Sequence, residues 1–137
     1  MTLPAVEAAQ LIMSVTEAGG AVALAVVVDS AGKDLDGKRL ALVESTPGAE
    51  LTVYGGLGSE ALDKPVRELM EDALKDPQSH DGLRRIETTG PSFELYLEVK
   101  RAVQELVVVG AGHIAQPMAH LGSVLGFKVT VLDDRPD

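Results

Sequence analysis

The feature that most constrains the fold is an apolar run that ends in a glycine turn near the C-terminus. Residues 106–109 are all apolar and lead into Gly110-Ala111-Gly112-His113-Ile114-Ala115. A segment of helix length follows, and a second apolar run, residues 129–132, ends at Asp133. This order is typical of the opening βαβ unit of a dinucleotide-binding fold. It predicts two parallel strands joined by a helix.

The small residues of this turn each have a physical role in phosphate binding. Gly110 permits the tight turn out of the strand, and Gly112 lets the backbone approach a pyrophosphate. Ala115 lets the helix pack closely on the strand, and the free amides at the helix N-terminus face the phosphates. His113 stands at the mouth of the turn, where it could donate to an anion; alternatively, it starts the helix and points to solvent.

Asp133 ends the second predicted strand, where a carboxylate can accept a hydrogen bond from a ribose 2′-hydroxyl. Alternatively, Asp133 and Asp134 form a solvated strand end before a turn at Pro136. Arg135 could accommodate a 2′-phosphate instead. The sequence therefore leaves both NAD and NADP open as ligands.

A second glycine-rich turn, Gly55-Gly56-Leu57-Gly58-Ser59, precedes an amphipathic helix. Successive amides of such a turn can point inward and bind an anion. The turn lacks the Lys-Ser/Thr ending of a P-loop, so a flexible strand-to-helix connection is the alternative. The candidate cofactor-binding residues are Gly55, Gly56, Gly58 and Ser59 in this turn, and Gly110, Gly112, His113, Ala115 and Asp133 near the C-terminus.

The first hundred residues predict a mixed α/β domain. Pro65 favours Asp63 over Ser59 as the N-cap of the amphipathic helix, because an interior proline removes a backbone hydrogen bond. The unbroken apolar run at residues 21–28 is typical of a strand covered on both faces. The predicted helices span residues 4–18 and 62–74; the predicted strands span 21–28, 38–44, 51–54, 83–88 and 93–99.

Composition limits the classes of function. The 137 residues contain no cysteine, which excludes disulfides, thiolate metal ligands and a cysteine nucleophile. A net charge of −9 disfavours nucleic acid, because phosphate backbones need clustered Lys and Arg. Three dispersed histidines predict no metal site, and no residue can be singled out as catalytic. The chain has no basic leader and no apolar run of about 18 residues, so we expect a soluble, cytoplasmic protein without membrane contact.

The C-terminal third resembles the start of the Rossmann domain in the XdhC/CoxI family. The resemblance rests on the G-A-G-H-x-A turn at 110–115 and on the L-G-F-x-V-T-V-x-D-D-R-P segment at 125–136. The N-terminal part is similar through the glycine turn at 56–58 and the strand at 94–98. The resemblance implies a short form, with an N-terminal α/β domain at 1–103 and the first βαβ unit of a Rossmann-like parallel sheet at 104–137.

Members of this family are accessory proteins of xanthine dehydrogenase and related molybdenum hydroxylases. They bind the molybdenum–pterin cofactor, protect it while its terminal sulfur is installed, and deliver it to the apo-enzyme. The resemblance therefore implies a non-catalytic chaperone that binds molybdopterin and contacts a molybdenum hydroxylase apo-enzyme. Two segments depart from the family pattern: residues 29–33 replace a G-S-x-P-R-like turn, and residues 88–92 replace a C-G-G segment. The chain thus has no thiolate to contact molybdenum.

Two other functions are consistent with the sequence. One is a nucleotide-binding module that holds NAD(P), FAD or another nucleotide at Gly110, Gly112, Ala115 and Asp133. The other is an interaction fragment, because two strands and one helix leave a sheet edge and a sheet face uncovered. Such surfaces lead us to expect a homodimer.

Overall fold

The computed structural model describes residues 1–135, which form a mixed α/β structure, as the sequence predicts. The chain divides into two compact units, Met1–Ala102 and Val103–Asp137. Among the described residues, none of the helices is long and apolar enough to cross a membrane. The elements are α1 (Ala5–Glu17), β1 (Ala21–Ser30), β2 (Arg39–Glu44), β3 (Leu51–Gly55), α2 (Glu60–Lys75), β4 (Gly82–Ile86), β5 (Phe93–Arg101), β6 (Glu105–Val109), α3 (Ala115–Val124) and β7 (Lys128–Leu132).

The first unit is built on a five-stranded antiparallel sheet with the strand order β3-β2-β1-β5-β4. The strand β1 is therefore central, and β3 and β4 are the edges. The five predicted strands of this unit are all present, and their ends lie within two residues of the predicted ones. The largest differences are at β1, which continues to Ser30, at β4, which ends at Ile86, and at β5, which continues to Arg101.

Helices cover both faces of β1. On one face Ala23 and Ala25 pack in a core that includes Met70 of α2. On the other face Val22 packs in a core that includes Ala8 of α1. This arrangement confirms the prediction of a strand covered on both faces, and it explains why the apolar run is not interrupted by polar residues.

A β-bulge between Val27 and Asp29 changes which side chains of β1 face α2. Before the bulge, the odd-numbered residues of the strand face that helix. After the bulge, Ser30 pairs with Phe93, which belongs to the same core. The inserted residue, Val28, therefore places Ser30 rather than Asp29 on the α2 side of the sheet.

The helix α2 has its N-cap at Ser59, so the prediction of an N-cap at Asp63 is wrong. The amides of Leu62 and Asp63 donate to the Ser59 carbonyl at 3.2 and 3.0 Å, which closes the first turn. The Asp63 carboxylate also accepts a hydrogen bond from the amide of Leu57 at 2.7 Å. This contact anchors the start of the helix and offsets the one backbone hydrogen bond that Pro65 cannot donate.

The second unit is a single βαβ unit. The strands β6 and β7 pair in parallel over their full lengths, and α3 packs on one face of the pair. The inner side of the helix is formed by small residues: Ala115 is buried, and a Cβ on Gly122 would lie 2.6 Å from Leu106 Cδ2. The predicted parallel pair is confirmed. Its membership of a Rossmann-type sheet stays a prediction, since the described residues contribute two strands to this sheet.

The C-terminus of α2 is capped by Arg101 at the end of β5. Its Nη2 donates to the carbonyls of Ala73 at 3.2 Å and Leu74 at 3.0 Å, which have no partner within the helix. We expect Arg101→Ala to lower the free energy of unfolding by about 1 kcal/mol in urea denaturation. The control is Lys100→Ala, whose ion pairs are exposed and worth less than about 0.5 kcal/mol. Equal losses in the two variants would contradict the capping role.

Candidate functional site

The predicted phosphate-binding turn connects β6 to α3. Gly110 has a φ of +97°, which favours glycine, and its amide donates to the Leu132 carbonyl at 2.6 Å. Gly112 does not have a left-handed φ, and no heavy atom lies within 4 Å of the position its Cβ would take. The fold therefore requires glycine at position 110. At position 112 it leaves open space above the backbone.

Several amides at the start of α3 are free to donate. The amide of Ala111 donates to Asp133, and the amide of Ala115 donates to the Gly112 carbonyl. Within residues 1–135, the amides of Gly112, His113 and Ile114 have no acceptor. Unpaired donors at a helix N-terminus, together with the helix macrodipole, favour an anion.

Asp133 is paired within the protein at the end of β7. Its carboxylate accepts hydrogen bonds from the Ala111 amide at 2.9 Å and from Arg135 Nη2 at 2.7 Å. The Arg135 side chain, followed by backbone hydrogen bonds, holds the pKa of the Asp133 carboxyl well below its ordinary value. The carboxylate thus fixes the turn, and a ribose hydroxyl would have to share it with Arg135.

Three open depressions surround this turn. Gly112 and His113 line two of them, with volumes of about 370 and 300 Å³. Arg135 lines the first of these two together with Gly112 and His113. A third depression, of about 390 Å³, is lined by Val109, Gly110, Leu132, Asp133 and Asp134. The predicted site residues near the C-terminus thus lie together around this turn. Ala115 differs from the others because it is buried and packs inside the unit, although it also borders the smallest depression.

Gly55 has a structural role at the end of β3. Its φ is +76°, and a Cβ there would lie 2.7 Å from both the Arg39 carbonyl oxygen and Leu3 Cβ. Both the backbone conformation and the close packing therefore require glycine. The approach of a ligand is not needed to explain this residue.

The inner part of the second glycine turn is filled by Asp63. A Cβ on Gly56 would lie 3.0 Å from Asp63 Oδ2, and the buried Leu57 donates its amide to the other oxygen of the same carboxylate. The Asp63 carboxylate thus accepts the hydrogen bond from an amide that we expected to bind an external anion. The prediction of a cofactor site at this turn now depends on Gly58 and Ser59, which are exposed.

Ser59 lies at the rim of a cavity of about 420 Å³ that the sequence analysis did not find. Three chain segments form this cavity: the end of β1 with its following loop, the start of α2, and the loop between β4 and β5. These segments overlap residues 29–33 and 88–92, where the sequence differs from the XdhC/CoxI pattern that it otherwise resembles. The lining residues are Ser30, Ala31, Asp34, Leu35, Ser59, Ala61, Leu62, Thr88, Thr89, Gly90, Pro91, Ser92 and Phe93.

Internal hydrogen bonds fix the shape of this cavity. Ser30 Oγ donates to Asp36 Oδ1 at 2.7 Å, which holds the loop after β1. Thr88 Oγ1 accepts from the Gly90 amide at 3.1 Å and donates to the Pro91 carbonyl at 3.2 Å, which closes the loop before β5. Both loops are rich in hydroxyl and carboxylate side chains, a signal present in the sequence. Their meeting depends on the order of the strands, which the sequence does not show.

Neither a metal cluster nor a known relative assigns a chemistry to these residues. Within residues 1–135, no group of three His, Asp or Glu side chains is placed to hold a metal ion. Comparison of the chain with protein-family models and with curated proteins found no match. The geometry of the turn and of the cavity therefore carries the functional argument.

The pairing of Asp133 predicts an unusual titration. We expect its carboxyl to titrate well below 3.8, the ordinary value for aspartate, because the ionised form keeps the contacts to Arg135 and Ala111. Since folding lowers this pKa, its contribution to stability is complete above the ordinary value and is lost as the pH falls through the folded-state value. Carbon NMR of the side-chain carboxyl measures this, and Arg135→Ala should return the pKa towards 3.8. A wild-type pKa at or above that value would contradict the pairing.

Substitution by alanine should change the stability of the protein differently at Gly55 and at Gly112. Gly55→Ala introduces a clash and a strained φ, and it should lower the free energy of unfolding by about 1–3 kcal/mol. Gly112→Ala meets open space and should not lower it. Chemical denaturation of the two variants beside the wild type measures the difference. Comparable losses would show that Gly112 is also required by the fold.

Proposed function

We propose that this protein is a non-catalytic accessory protein that binds the molybdenum–pterin cofactor through its phosphate. It would aid the sulfuration or insertion of this cofactor into a molybdenum hydroxylase of the xanthine dehydrogenase type. The resemblance of residues 105–136 to the XdhC/CoxI family suggests the cofactor, although Pro136 lies outside the described residues. The observation that carries the proposal is the open space above Gly112, beside amides that lack acceptors.

Three groups around this space suit a phosphate. The amides of Gly112, His113 and Ile114 supply donors at the positive end of the α3 dipole. The Arg135 side chain is 67% exposed, and this residue lines the same depression. His113 adds a further donor, most strongly when its imidazole is protonated. Such local donors are needed because a net charge of −9 repels anions at longer range.

The described residues suit the phosphate of the cofactor, but they include no group of side chains that could bind its metal. The chain has no cysteine, and residues 1–135 contain no cluster of metal ligands. The molybdenum centre supplies its chemistry within the enzyme that receives it, so a carrier needs only to bind the cofactor. In this proposal the cofactor is cargo, and the turn at 110–114 holds it by its phosphate.

The proposal includes a cytoplasmic location and two protein contacts, one with the apo-enzyme and one with a second copy of the chain. The face of the β6–β7 pair opposite α3 exposes Val107, Val109 and Leu132 by 51, 83 and 53%. Large exposed apolar side chains on one sheet face are typical of a surface that binds a protein. This face supports the expectation of a partner on the second unit.

A nucleotide is the second candidate ligand. The depression of about 390 Å³ between Gly110 and Asp133 lies at the carboxyl end of both strands, where a βαβ fold binds a ribose. Against this candidate, Asp133 already accepts hydrogen bonds from Ala111 and Arg135. A nucleotide would have to displace Arg135 or share the carboxylate with it.

Direct binding tests the two candidates in parallel. The full chain is titrated with isolated molybdopterin, NAD and NADP, followed by calorimetry and thermal melting. We expect molybdopterin to bind and Gly112→Ala to weaken it by about tenfold, since a Cβ there displaces the phosphate from charge-assisted hydrogen bonds. The control is Ser123→Ala, an exposed position near the other end of α3, which should bind like the wild type.

The outcomes separate the candidates. Absence of molybdopterin binding, or equal binding by Gly112→Ala and the wild type, would reject the carrier role at this turn. A dinucleotide that binds better than molybdopterin would favour the second candidate. Its signature is a stabilisation of about 2.7 kcal/mol at a hundredfold excess over the dissociation constant.

A further inference from the structure

The helix α3 carries a row of apolar side chains that its own unit does not cover. Ile114, Met118, Leu121 and Leu125 are between 45 and 73% exposed. Their spacing of four, three and four residues places them on one side of the helix, and we call them the α3 stripe. A different side of α3, with the buried Ala115 and Gly122, packs on the sheet. An exposed apolar row of this kind is typical of a surface that binds a protein.

The surface around the α3 stripe is also free of charge. Residues 106–127 contain no Asp, Glu, Lys or Arg, although such residues make up 24% of the chain. The net charge of −9 therefore comes from other parts of the chain. A charged partner would find no complementary charge here, whereas an identical surface would meet no like charge.

The α3 stripe begins beside the free edge of β6. Ile114 and Met118 border a depression together with Val108 and Val109 of that strand, and no residue of β7 lines it. Among residues 1–135, β6 pairs with β7 alone, so its other edge has no neighbouring strand. The stripe and this edge thus form one continuous surface.

The free edge of β6 is able to pair with another strand. The amide of Lys128 donates to the Gln104 carbonyl, and the amide of Gly110 donates to the Leu132 carbonyl. Because backbone groups alternate in direction along a strand, those of Glu105, Val107 and Val109 point away from β7. The strand has no proline and no lysine, the residues that commonly protect an edge from pairing.

We propose that a second copy of the chain covers this surface. In this dimer β6 pairs in antiparallel fashion with β6 of the other copy, and the two α3 stripes pack against each other. The two-fold axis passes beside Val107, perpendicular to the sheet, so that both helices lie on the same face of a four-stranded sheet. The inference rests on the proposed function only in that a second copy is included there, and it names the surface that this copy covers.

The spacing of the elements suits such a dimer. A Cβ on Gly122 would approach Leu106 of β6 and Val129 of β7, so α3 lies over both strands. Since neighbouring strands are about 4.8 Å apart, two helices that lie over adjacent strand pairs are separated by about 10 Å. Packed helices have axes about 8–10 Å apart, so the two stripes would be in contact.

The available area is also close to what a stable dimer needs. The α3 stripe, together with Val107 and Val109 at the edge, exposes on the order of 600 Å² per copy, against about 800 Å² that each partner buries in a stable complex. The paired backbone of β6 contributes further area. The surface is therefore large enough for self-association without help from the first unit.

Sedimentation equilibrium of the full chain without ligand tests the proposal. We expect a dimer at micromolar concentration, and Leu121→Glu should raise its dissociation constant at least tenfold, because two carboxylates would be buried in an apolar contact. The control is Ser123→Glu, which adds the same charge at an exposed position on the opposite side of α3 and should dimerise as the wild type does. Thermal melting checks that both variants fold.

Val107→Pro tests the strand pairing separately. The Val107 amide points away from β7, so proline removes no hydrogen bond within the unit but blocks the free edge. This variant should also weaken the dimer at least tenfold.

Several results would overturn the proposal. They are a monomer at every concentration, a dimer that Leu121→Glu leaves intact, equal losses in Leu121→Glu and Ser123→Glu, and unchanged dimerisation of Val107→Pro. A monomer in which Leu121→Glu abolishes binding to a molybdenum hydroxylase apo-enzyme would assign the surface to that enzyme instead. Because the dimer is measured without ligand, its absence would not reject molybdopterin binding at the turn, and failure of molybdopterin to bind would not reject the dimer.

Discussion

Burial of β1 on both faces is the constraint on which the first unit depends. The strand lies at the centre of the five-stranded sheet, and a different helix packs on each of its faces, α1 on one and α2 on the other. The small and branched apolar residues of β1 allow this burial: three alanines and Val27 face α2, and Val22 and Leu24 face α1. The bulge at Val28 ends this regular pattern. Beyond it the strand delivers Ser30, a polar residue, to the cavity at the start of α2.

The two glycine turns share an internal arrangement that the sequence motif does not reveal. In each turn a carboxylate of the chain accepts an amide hydrogen bond, Asp63 from Leu57 at 2.7 Å and Asp133 from Ala111 at 2.9 Å. Glycine-rich turns that precede helices bind anions, and in both turns here the bound anion is a side-chain carboxylate of the protein itself. The two turns differ in their other backbone amides and in the space around them. The turn before α3 keeps free amides and open space, whereas the turn before α2 is packed against its aspartate and against Leu3.

Periodicity and turn chemistry predict the strands and helices of this chain well, because both are local properties. The parallel pairing of β6 and β7 follows from the spacing of two apolar runs around a helix. The N-cap of α2 could not be derived in this way, because Asp63 accepts a hydrogen bond from Leu57, outside the helix, and local patterns do not show this contact. The roles of Gly55 and Gly112 differ for a similar reason. Only tertiary neighbours show that a Cβ is excluded at the first and tolerated at the second.

In the second unit, Asp133 is already paired with Arg135, so its carboxylate competes with any anion that would bind the Arg135 guanidinium. A ligand that engages the guanidinium must displace a carboxylate that is already tethered beside it. A monovalent carboxylate ligand would gain little from this exchange, because it replaces like with like. A phosphate has more charge and more acceptor oxygens, so it can engage Arg135 and the free amides together. At the proposed phosphate site, this exchange would therefore favour anions of higher valence over simple carboxylates.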